Sequence, residues 1–351
     1  KWSWRFIMSE FKVNTITNKD GSYGPQVCGI TTFGSSGMQL PSGPTEFRGG
    51  RGRGIFAGME PSASNIDKIE IATTGNSVTF GTLSRSKQAT SATASSTRGV
   101  VFGGYSSPTY YTDIDYITIS SSGGANDFGD LIHDRGWSAA CGDGIRGIVA
   151  GTWPGPAAIE YVNIATTGDA SEFGELSVRP AGYTGSQNGH EITGGCGSPT
   201  RGIFGGGAFG SPSTTATNLI QFINIKTLGN SVKFGELNNL SYGVSASSNS
   251  TRGLFYGGRT PSIHDTIDYI TIATEGNATD FGNLLANRRD TGACASSVRG
   301  IIAGGKAPSS VDNVIQYVTI ATTGNATDFG DLTSTRAQMG GFSDVHGGLA
   351  Q

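Results

Sequence analysis

The residues best suited to catalysis are scattered along this chain, and no known catalytic spacing joins them. The four histidines, His133, His190, His264 and His346, lie far apart in sequence. There is no Gly-x-Ser-x-Gly turn for a nucleophile, no His-Glu-x-x-His pair and no Cys-x-x-Cys pair. A Ser-His-Asp triad assembles in space, so its residue spacing alone does not reveal it. We therefore expect a non-enzymatic protein that needs no metal and no cofactor.

Carboxylates and the triplet Asp-Phe-Gly recur at one place in a repeat. The triplet at 127–129, 280–282 and 328–330 is identical in sequence to the magnesium-binding triplet of protein kinases, but no other kinase signature accompanies it. Other copies have Glu, Lys or Thr before the same Phe-Gly. Flanking pairs such as Asp328 and Asp331 are therefore predicted to cap turns or face solvent, and calcium binding is the alternative.

Charge and hydropathy argue against nucleic acid and membrane partners. The basic segment at 47–54 resembles an RNA-binding Arg-Gly-Gly run, yet Arg53-Gly54 belongs to the repeat and only Arg48 and Arg51 are additional. The net charge of −3 and the sequence pI of 5.8 give no basic footprint for DNA or RNA. No run approaches the roughly 18 apolar residues of a membrane span. We expect neither nucleic acid binding nor membrane insertion.

Six copies of one repeat, spaced 45 to 55 residues apart, fill the chain after residue 50. Each copy begins with Arg-Gly and a short apolar run that ends in Gly. A segment such as IDYITI follows, then a turn such as ATTGN and a Phe-Gly-x-Leu element. The opening arginines are Arg53, Arg98, Arg146, Arg201, Arg252 and Arg299. The phenylalanines are Phe80, Phe128, Phe173, Phe234, Phe281 and Phe329.

Each landmark of the repeat is typical of a β-strand. The apolar run fits a strand buried on both faces, and the segment rich in Ile, Tyr and Thr fits its neighbour. A stretch of small residues, such as TGACASS at 291–297, precedes each new Arg-Gly from the second copy on. Four short strands in each of six copies predict an all-β fold, a six-bladed β-propeller.

The C-terminus supplies the strand that the first copy lacks. Residues 336–348 align with 289–301, whereas no clear small-residue strand precedes Arg53. We predict that this C-terminal strand completes the first blade, which removes the exposed edges of the ring. A seventh blade built from residues 22–50 is the alternative. The predicted domains are an extended N-terminal arm at 1–50 and the propeller at 51–351.

Three of the four cysteines occupy the same place in three copies. Cys141, Cys196 and Cys294 each stand five residues before the repeat arginine, where other copies have Thr93 or Ser247. A position shared with threonine and serine indicates a small buried side chain. The alternatives are a disulfide framework or a metal site.

The apolar run ending in Gly-Gly resembles the kelch motif. A kelch repeat also has a spaced Trp after its glycines, which this sequence lacks, and Met59 and Thr152 replace the second Gly in two copies. The resemblance therefore concerns architecture more than a strict consensus. It implies a kelch-like β-propeller. The Gly-Gly pairs stand at 103–104, 205–206, 257–258 and 304–305.

The amino-acid sequence of the repeat is also similar to repeats in virion proteins of tailed bacteriophages, especially those of marine cyanophages. The similar segments are RGIFAG, IDYITI and ATTGNATDFGDL. Residues 8–46 look like the start of such proteins, so the resemblance spans nearly the whole chain from Met8. It implies a structural role in the phage particle, as a tail, fibre or surface decoration protein.

One face of the propeller is predicted to carry the variable loops. In an up-and-down blade, the loop between strands two and three and the connection from strand four to the next blade lie on the same face. These segments differ between copies, whereas the turns of the opposite face are short and nearly constant, a division suited to binding. We expect aromatic contacts there, with Tyr110, Tyr111 and Trp153 as first choices. The candidates are Tyr105, Tyr110, Tyr111, Trp137, Trp153, Tyr183, Phe209 and Tyr242.

Three functional hypotheses follow. In the first, the arm docks the chain to other virion proteins, and the loop face binds a host-surface receptor, a glycan or neighbouring subunits; fibre proteins of this kind are often homo-oligomers. The second is a cellular kelch-like module that binds a protein or a glycan. The third is a propeller enzyme such as a glycan hydrolase or lyase, which would need an acid/base cluster near the channel mouth that the sequence does not show.

Overall fold

The computed structural model describes residues 52–153, 155–178, 190–191, 194–210 and 215–345. The secondary structure of these residues is β-strand and turn throughout. Six antiparallel sheets of four main strands each follow one another along the chain, one for each copy of the repeat. The predicted six-bladed β-propeller is therefore confirmed. The described part of the chain contains no helix with the length and apolarity of a membrane span.

Each blade, numbered by its Arg-Gly landmark, has an innermost, a second, a third and an outermost strand. The innermost strands of blades 1 to 6 are Gly340–Ser343, Ser91–Ala94, Ala139–Gly142, Gly194–Gly197, Ser245–Ser248 and Gly292–Ala295. The second strands are Arg53–Ala57, Arg98–Phe102, Arg146–Ala150, Arg201–Gly205, Arg252–Arg259 and Arg299–Ala303.

The third and outermost strands complete each sheet. The third strands are Ala63–Glu70, Thr109–Thr118, Ala158–Asn163, Leu219–Asn224, Ile263–Thr271 and Val314–Thr319. The outermost strands are Val78–Lys87, Asn126–Arg135, Ser171–Glu175, Val232–Glu236, Thr279–Asn283 and Thr327–Asp331. Short strands outside the blades are Tyr105–Ser106, His190–Glu191, Ala208–Phe209 and Thr215–Ala216.

The ring closes between the two ends of the repeat region. The C-terminal strand Gly340–Ser343 pairs antiparallel with Arg53–Ala57, with Phe342 opposite Ile55. The prediction that residues 336–348 complete the first blade is therefore confirmed. The described residues form the six blades of the closed ring. The N-terminal arm predicted at 1–50 lies outside the described residues.

The innermost strands carry small residues because the next blade packs tightly against them. A Cβ added to Gly202 of blade 4 would lie 2.6 Å from the Sγ atom of Cys141 in blade 3. Cys141, Cys196 and Cys294 are buried free thiols, as the repeat position indicates. Burial raises the pKa of Cys196 to about 12, so this thiol is unreactive at neutral pH.

The hydrophobic core lies between blades. Ile148 and Phe173 of blade 3 pack with Phe204 and Ile223 of blade 4, and all four side chains are at most 3% exposed. Equivalent clusters occur at the other blade junctions. Because each cluster draws on two blades, the burial of apolar surface holds the ring together as well as each sheet.

The arginine that opens each repeat joins neighbouring blades. Arg98 of blade 2 stacks on Tyr116 at 4.4 Å and donates from Nη1 to the carbonyl of Ile164 in blade 3 at 3.0 Å. The same donor bond occurs in all six blades. The accepting carbonyls, in blade order of the donor, belong to Ile119, Ile164, Ile225, Ile272, Ile320 and Ile71.

The turn between the third and outermost strands docks on the outermost strand of the preceding blade. The N–H of Gly168 in blade 3 donates to the carbonyl of Phe128 in blade 2 at 2.7 Å, and Ala170 donates to Asp130 at 2.8 Å. All six turns make both bonds. The repeated Asp-Phe-Gly triplet therefore belongs to a strand that receives a neighbouring turn.

Candidate binding face

On the face that carries the variable loops, a backbone bridge joins each pair of neighbouring blades, and the six bridges together form a ring. In blade 2, Gln88 and Tyr105 exchange N–H to carbonyl bonds of 2.9 and 2.7 Å, and between blades 5 and 6 Arg289 and Lys306 exchange bonds of 3.1 and 2.8 Å. We call these bridging residues the rim. The rim residues at or just after the end of each second strand, in blade order, are Glu60, Tyr105, Trp153, Ala208, Arg259 and Lys306. Their partners, in the connections from the preceding blades, are Ala337, Gln88, Gly136, Glu191, Tyr242 and Arg289.

The residues after five of the rim partners, Gln88, Gly136, Tyr242, Arg289 and Ala337, adopt positive φ and extend the ring inward. Ala89 donates its N–H to the carbonyl of Gln338 at 2.8 Å, Gln338 donates to Asp290 at 2.8 Å, and Asp290 donates to Gly243 at 2.8 Å. Trp137 continues the series to Ala89 at 3.2 Å. A non-glycine residue in this conformation costs about 1–2 kcal/mol, so the bonds offset a local strain at the mouth of the central channel.

Blades 2 and 3 place aromatic side chains on this face. The ring centroids of Tyr105 and Tyr110 are 4.7 Å apart, and that of Trp137 lies 5.5 Å from Tyr105 and 6.3 Å from Tyr110. All three rings are partly exposed. Trp153, also partly exposed, follows at the next rim position and is bonded through its N–H to Gly136 at 3.0 Å. The structure thus brings four of the eight predicted aromatic residues to one sector.

The other four predicted residues lie elsewhere. Tyr111 is covered by the guanidinium of Arg85 at 4.8 Å. Tyr242 stands at the rim with the guanidinium of Arg259 6.0 Å from its ring centroid.

Phe209 is only 2% exposed, because its short strand pairs in a small sheet on the loop side of blade 4, so the expectation of an exposed ring there is wrong. Tyr183 lies outside the described residues.

Blades 5 and 6 place cations at the same rim positions. Arg259 and Lys306 stand where blades 2 and 3 have Tyr105 and Trp153, and Arg289 is the rim partner of Lys306. The candidate binding face is therefore aromatic on one side of the ring and cationic on the other. Sequence analysis selected the aromatic residues but missed the cationic ones, although Arg259 and Lys306 each follow the Gly-Gly of their own repeat.

Two carboxyl groups near the channel mouth have raised pKa values. Burial, followed by the nearby charge of Asp290, raises the pKa of Glu191 to about 8. Burial also raises the pKa of Asp290, which is paired with Arg289. Glu191 and Arg289 are both rim partners, so the ring brings together residues that are distant in sequence. Among the described residues, no group of three or more His, Cys, Asp or Glu side chains is arranged to hold a metal ion.

The central channel itself has little room at this end. The pocket at its mouth has a volume of about 70 Å³ and is lined by the ends of the innermost strands, including Ser91, Ser138 and Thr291. That volume accommodates about two water molecules. Among the described residues, the space of ligand size on this face lies among the rim loops and not in this pocket.

A scan against models of protein families finds no match for this chain, and a search of curated protein sequences finds no significant match. The fold and the rim geometry therefore carry the functional argument.

Proposed function

We propose that this chain is a non-catalytic structural protein of a tailed-phage virion, in which the loop face of the propeller binds a host-surface receptor or a neighbouring subunit. The rim carries this proposal. Each bridge of the rim is made by backbone atoms, while the side chains at the bridging positions range from Trp153 and Tyr105 to Arg259 and Glu60. A constant backbone with variable side chains on one face is typical of a binding surface.

The aromatic sector is the first candidate for contact with a partner. Tyr105, Tyr110 and Trp137 support one another by ring contacts, so their orientations are largely fixed before a partner arrives. Preorganised aromatic side chains give a large contact area with little loss of side-chain entropy. Such rings suit the apolar faces of sugars and proteins.

The assignment to a virion is supported by the resemblance of the repeat and of residues 8–46 to tailed-phage proteins. In this proposal the arm at 1–50 docks the chain to other virion proteins, and copies of the chain associate as fibre proteins do. The chain acts within the particle, and its binding is non-covalent.

The absence of catalysis is part of the same proposal. The carboxylate of Asp290 is engaged by Arg289 and receives a hydrogen bond from Gln338, so it is committed to the structure. The pocket beside it is too small for a sugar or peptide substrate. A binding role requires neither a nucleophile nor a general acid at this place.

A cryo-EM map of the intact source particle tests the proposal directly. We expect the propeller at an outer surface with the loop face exposed or in contact with another virion subunit. We also expect Trp153→Ala and Tyr110→Ala particles to adsorb to host cells at least about tenfold less, the range of one interface hot spot. Leu228→Ala, which changes an exposed side chain on a turn of the opposite face, is the matched control. Absence of the chain from purified particles, or loops that contact nothing with normal adsorption of both variants, would refute the proposal.

A further inference from the structure

We propose that the cleft between the variable loops of blades 5 and 6 is a binding site for an acidic saccharide, whose carboxylate is held by Arg259, Arg289 and Lys306. This inference rests on the proposed binding role of the loop face and names the chemical class of one of its ligands.

The cleft has the size of a ligand site. Its two walls are the loops that follow the second strands of blades 5 and 6, from Arg259 to Ile263 and from Lys306 to Val311, and Asn287 and Arg289 contribute from the connection between the blades. Its volume is about 780 Å³, within the range of about 300–1,000 Å³ that is usual for small-molecule sites. It is therefore far larger than the pocket at the channel mouth.

The ionisable side chains that line the cleft are all cationic. Three of the twelve lining residues are cations and none is Asp or Glu, whereas the chain as a whole carries a net charge of −3. The three cations lie on two adjoining backbone bridges, one through Tyr242 and Arg259 and the other through Arg289 and Lys306. All three side chains line the cleft, so they are within reach of an anion bound there.

Arg259 is the cation that is free to bind. Its side chain is exposed and has no ion-pair partner within the described part of the chain. By contrast, Arg289 is paired with Asp290 and Lys306 with Glu60, and neither acid lines the cleft. A guanidinium binds a carboxylate through two parallel N–H bonds, so Arg259 supplies the directional contact, while Arg289 and Lys306 supply N–H donors that their own ion pairs leave over.

The remaining lining residues favour a sugar over a simple anion. Hydroxyl and amide groups that hydrogen-bond to sugar hydroxyls alternate with proline rings and aliphatic side chains that pack on C–H faces. The ring of Tyr242 stands beside Arg259 at the edge of the site. The polar lining residues are Ser262, Asn287, Ser309 and Ser310, and the apolar ones are Pro261, Ile263, Ala307, Pro308 and Val311.

Isothermal titration of the purified full-length chain with trigalacturonic acid, and with the neutral trisaccharide of galactose as reference, tests this site. We expect binding of the acidic trisaccharide only, and affinity that falls as salt is raised. Arg259→Ala should weaken binding at least tenfold, and Arg259→Lys by less, because a lysine keeps the charge but loses the paired donors. Arg85→Ala, which removes another half-exposed arginine 4.8 Å from a tyrosine ring, is the matched control and should bind as the original chain does.

The outcomes separate this inference from the proposed function. No binding of trigalacturonic acid, equal binding of the neutral trisaccharide, or unchanged affinity in Arg259→Ala would each overturn the acidic-saccharide site. Loss of host adsorption in Trp153→Ala would still support the binding role of the loop face in any of those cases. Conversely, specific titration of the acidic sugar stands as a binding site even when the chain proves absent from the particle, a result that would refute only the virion role.

Discussion

Buried ionic and amide side chains join neighbouring blades near the outer edge of the ring. The second residue of each segment of the IDYITI type, which lies in the third strand, is almost fully buried and faces the preceding blade. Glu160 of blade 3 is paired there with Arg135 of blade 2 and accepts the N–H of Ile132 at 2.8 Å. Burial favours the neutral acid, but the charge and hydrogen bonds of Arg135 keep the pKa of Glu160 below its usual value. The equivalent residues are Asp67, Asp115, Glu160, Gln221, Asp268 and Gln316.

Removing one member of such a pair should cost more than removing both charges. In Arg135→Met the carboxylate of Glu160 stays buried without its cation, and we expect the free energy of unfolding to fall by about 3–5 kcal/mol. The double variant Arg135→Met/Glu160→Gln should recover most of that loss, because Gln221 and Gln316 occupy the same place in blades 4 and 6. Urea unfolding of the three proteins measures both changes. A double variant no more stable than the single one would contradict this account.

Sequence analysis predicted the strand that contains these residues but not their role. In IDYITI the acid stands between two apolar residues and looks like the polar member of an alternating strand. Its burial depends on the cation of another blade, such as Arg336 for Asp67 at 3.3 Å, and the two residues are at opposite ends of the chain. The local sequence pattern therefore predicts the strand, whereas the cation that pairs with the acid is known only from the arrangement of the blades in the ring.

Among the structural elements, the turn before each outermost strand determines how two blades meet. The turn of blade 3 lies on the Phe-Gly of blade 2, where Gly129 has a φ of +141°. A Cβ added to Gly129 would lie 2.6 Å from the carbonyl oxygen of Gly168, so both the conformation and the space require glycine. This contact explains why Gly follows the phenylalanine in all six copies.

Substitution of this glycine should separate the two blades locally. We expect Gly129→Ala to lower the melting temperature by several degrees, because the turn of blade 3 must move and its two backbone bonds to blade 2 are strained. Gly123→Ala is the matched control, since an added Cβ there has no atom within 4 Å and φ is not positive. Thermal unfolding followed by circular dichroism compares them. Equal melting temperatures would show that the turn contact is dispensable.

The strands marked by the Arg-Gly and Phe-Gly motifs of the repeat were predictable from the sequence, whereas the rim was not. Six spaced Arg-Gly and Phe-Gly motifs define the strands because their residues recur. The rim residues differ in every copy, from Glu60 to Trp153 to Lys306, because only their backbone atoms take part in the bridge. A feature made by main-chain atoms at unlike residues leaves no repeated side chain in the sequence.

For the whole molecule, closure by the C-terminal strand is the contact that makes six blades a ring. Phe342 of that strand is 4% exposed and packs in one core with Ile55 and Val101. Without the strand, Arg53–Ala57 becomes an open edge, and the junctions of blade 1 with blades 2 and 6 lose part of their core.

A chain that ends at residue 335 should therefore be less stable and prone to association. We expect a lower melting temperature and elution in larger species on size-exclusion chromatography, because an unpaired apolar strand edge recruits other chains. A chain that ends at residue 345 keeps the closing strand and is the control, with the elution and melting of the full chain. If the two truncated chains behave alike, closure contributes nothing measurable.

The main-chain pairing of the rim has a consequence for how such a protein evolves by mutation. The bridge is made by backbone atoms, so a mutation at the exposed Arg259 alters what the face presents and keeps the bridge. At a rim position with an exposed side chain and no ion pair among the described residues, such as Arg259, one chemical group can be exchanged independently of the others. Ala208 is buried and Glu60 is paired with Lys306, so those positions lack this independence. New partners are reached by single substitutions, one blade at a time, without passing through an unstable intermediate.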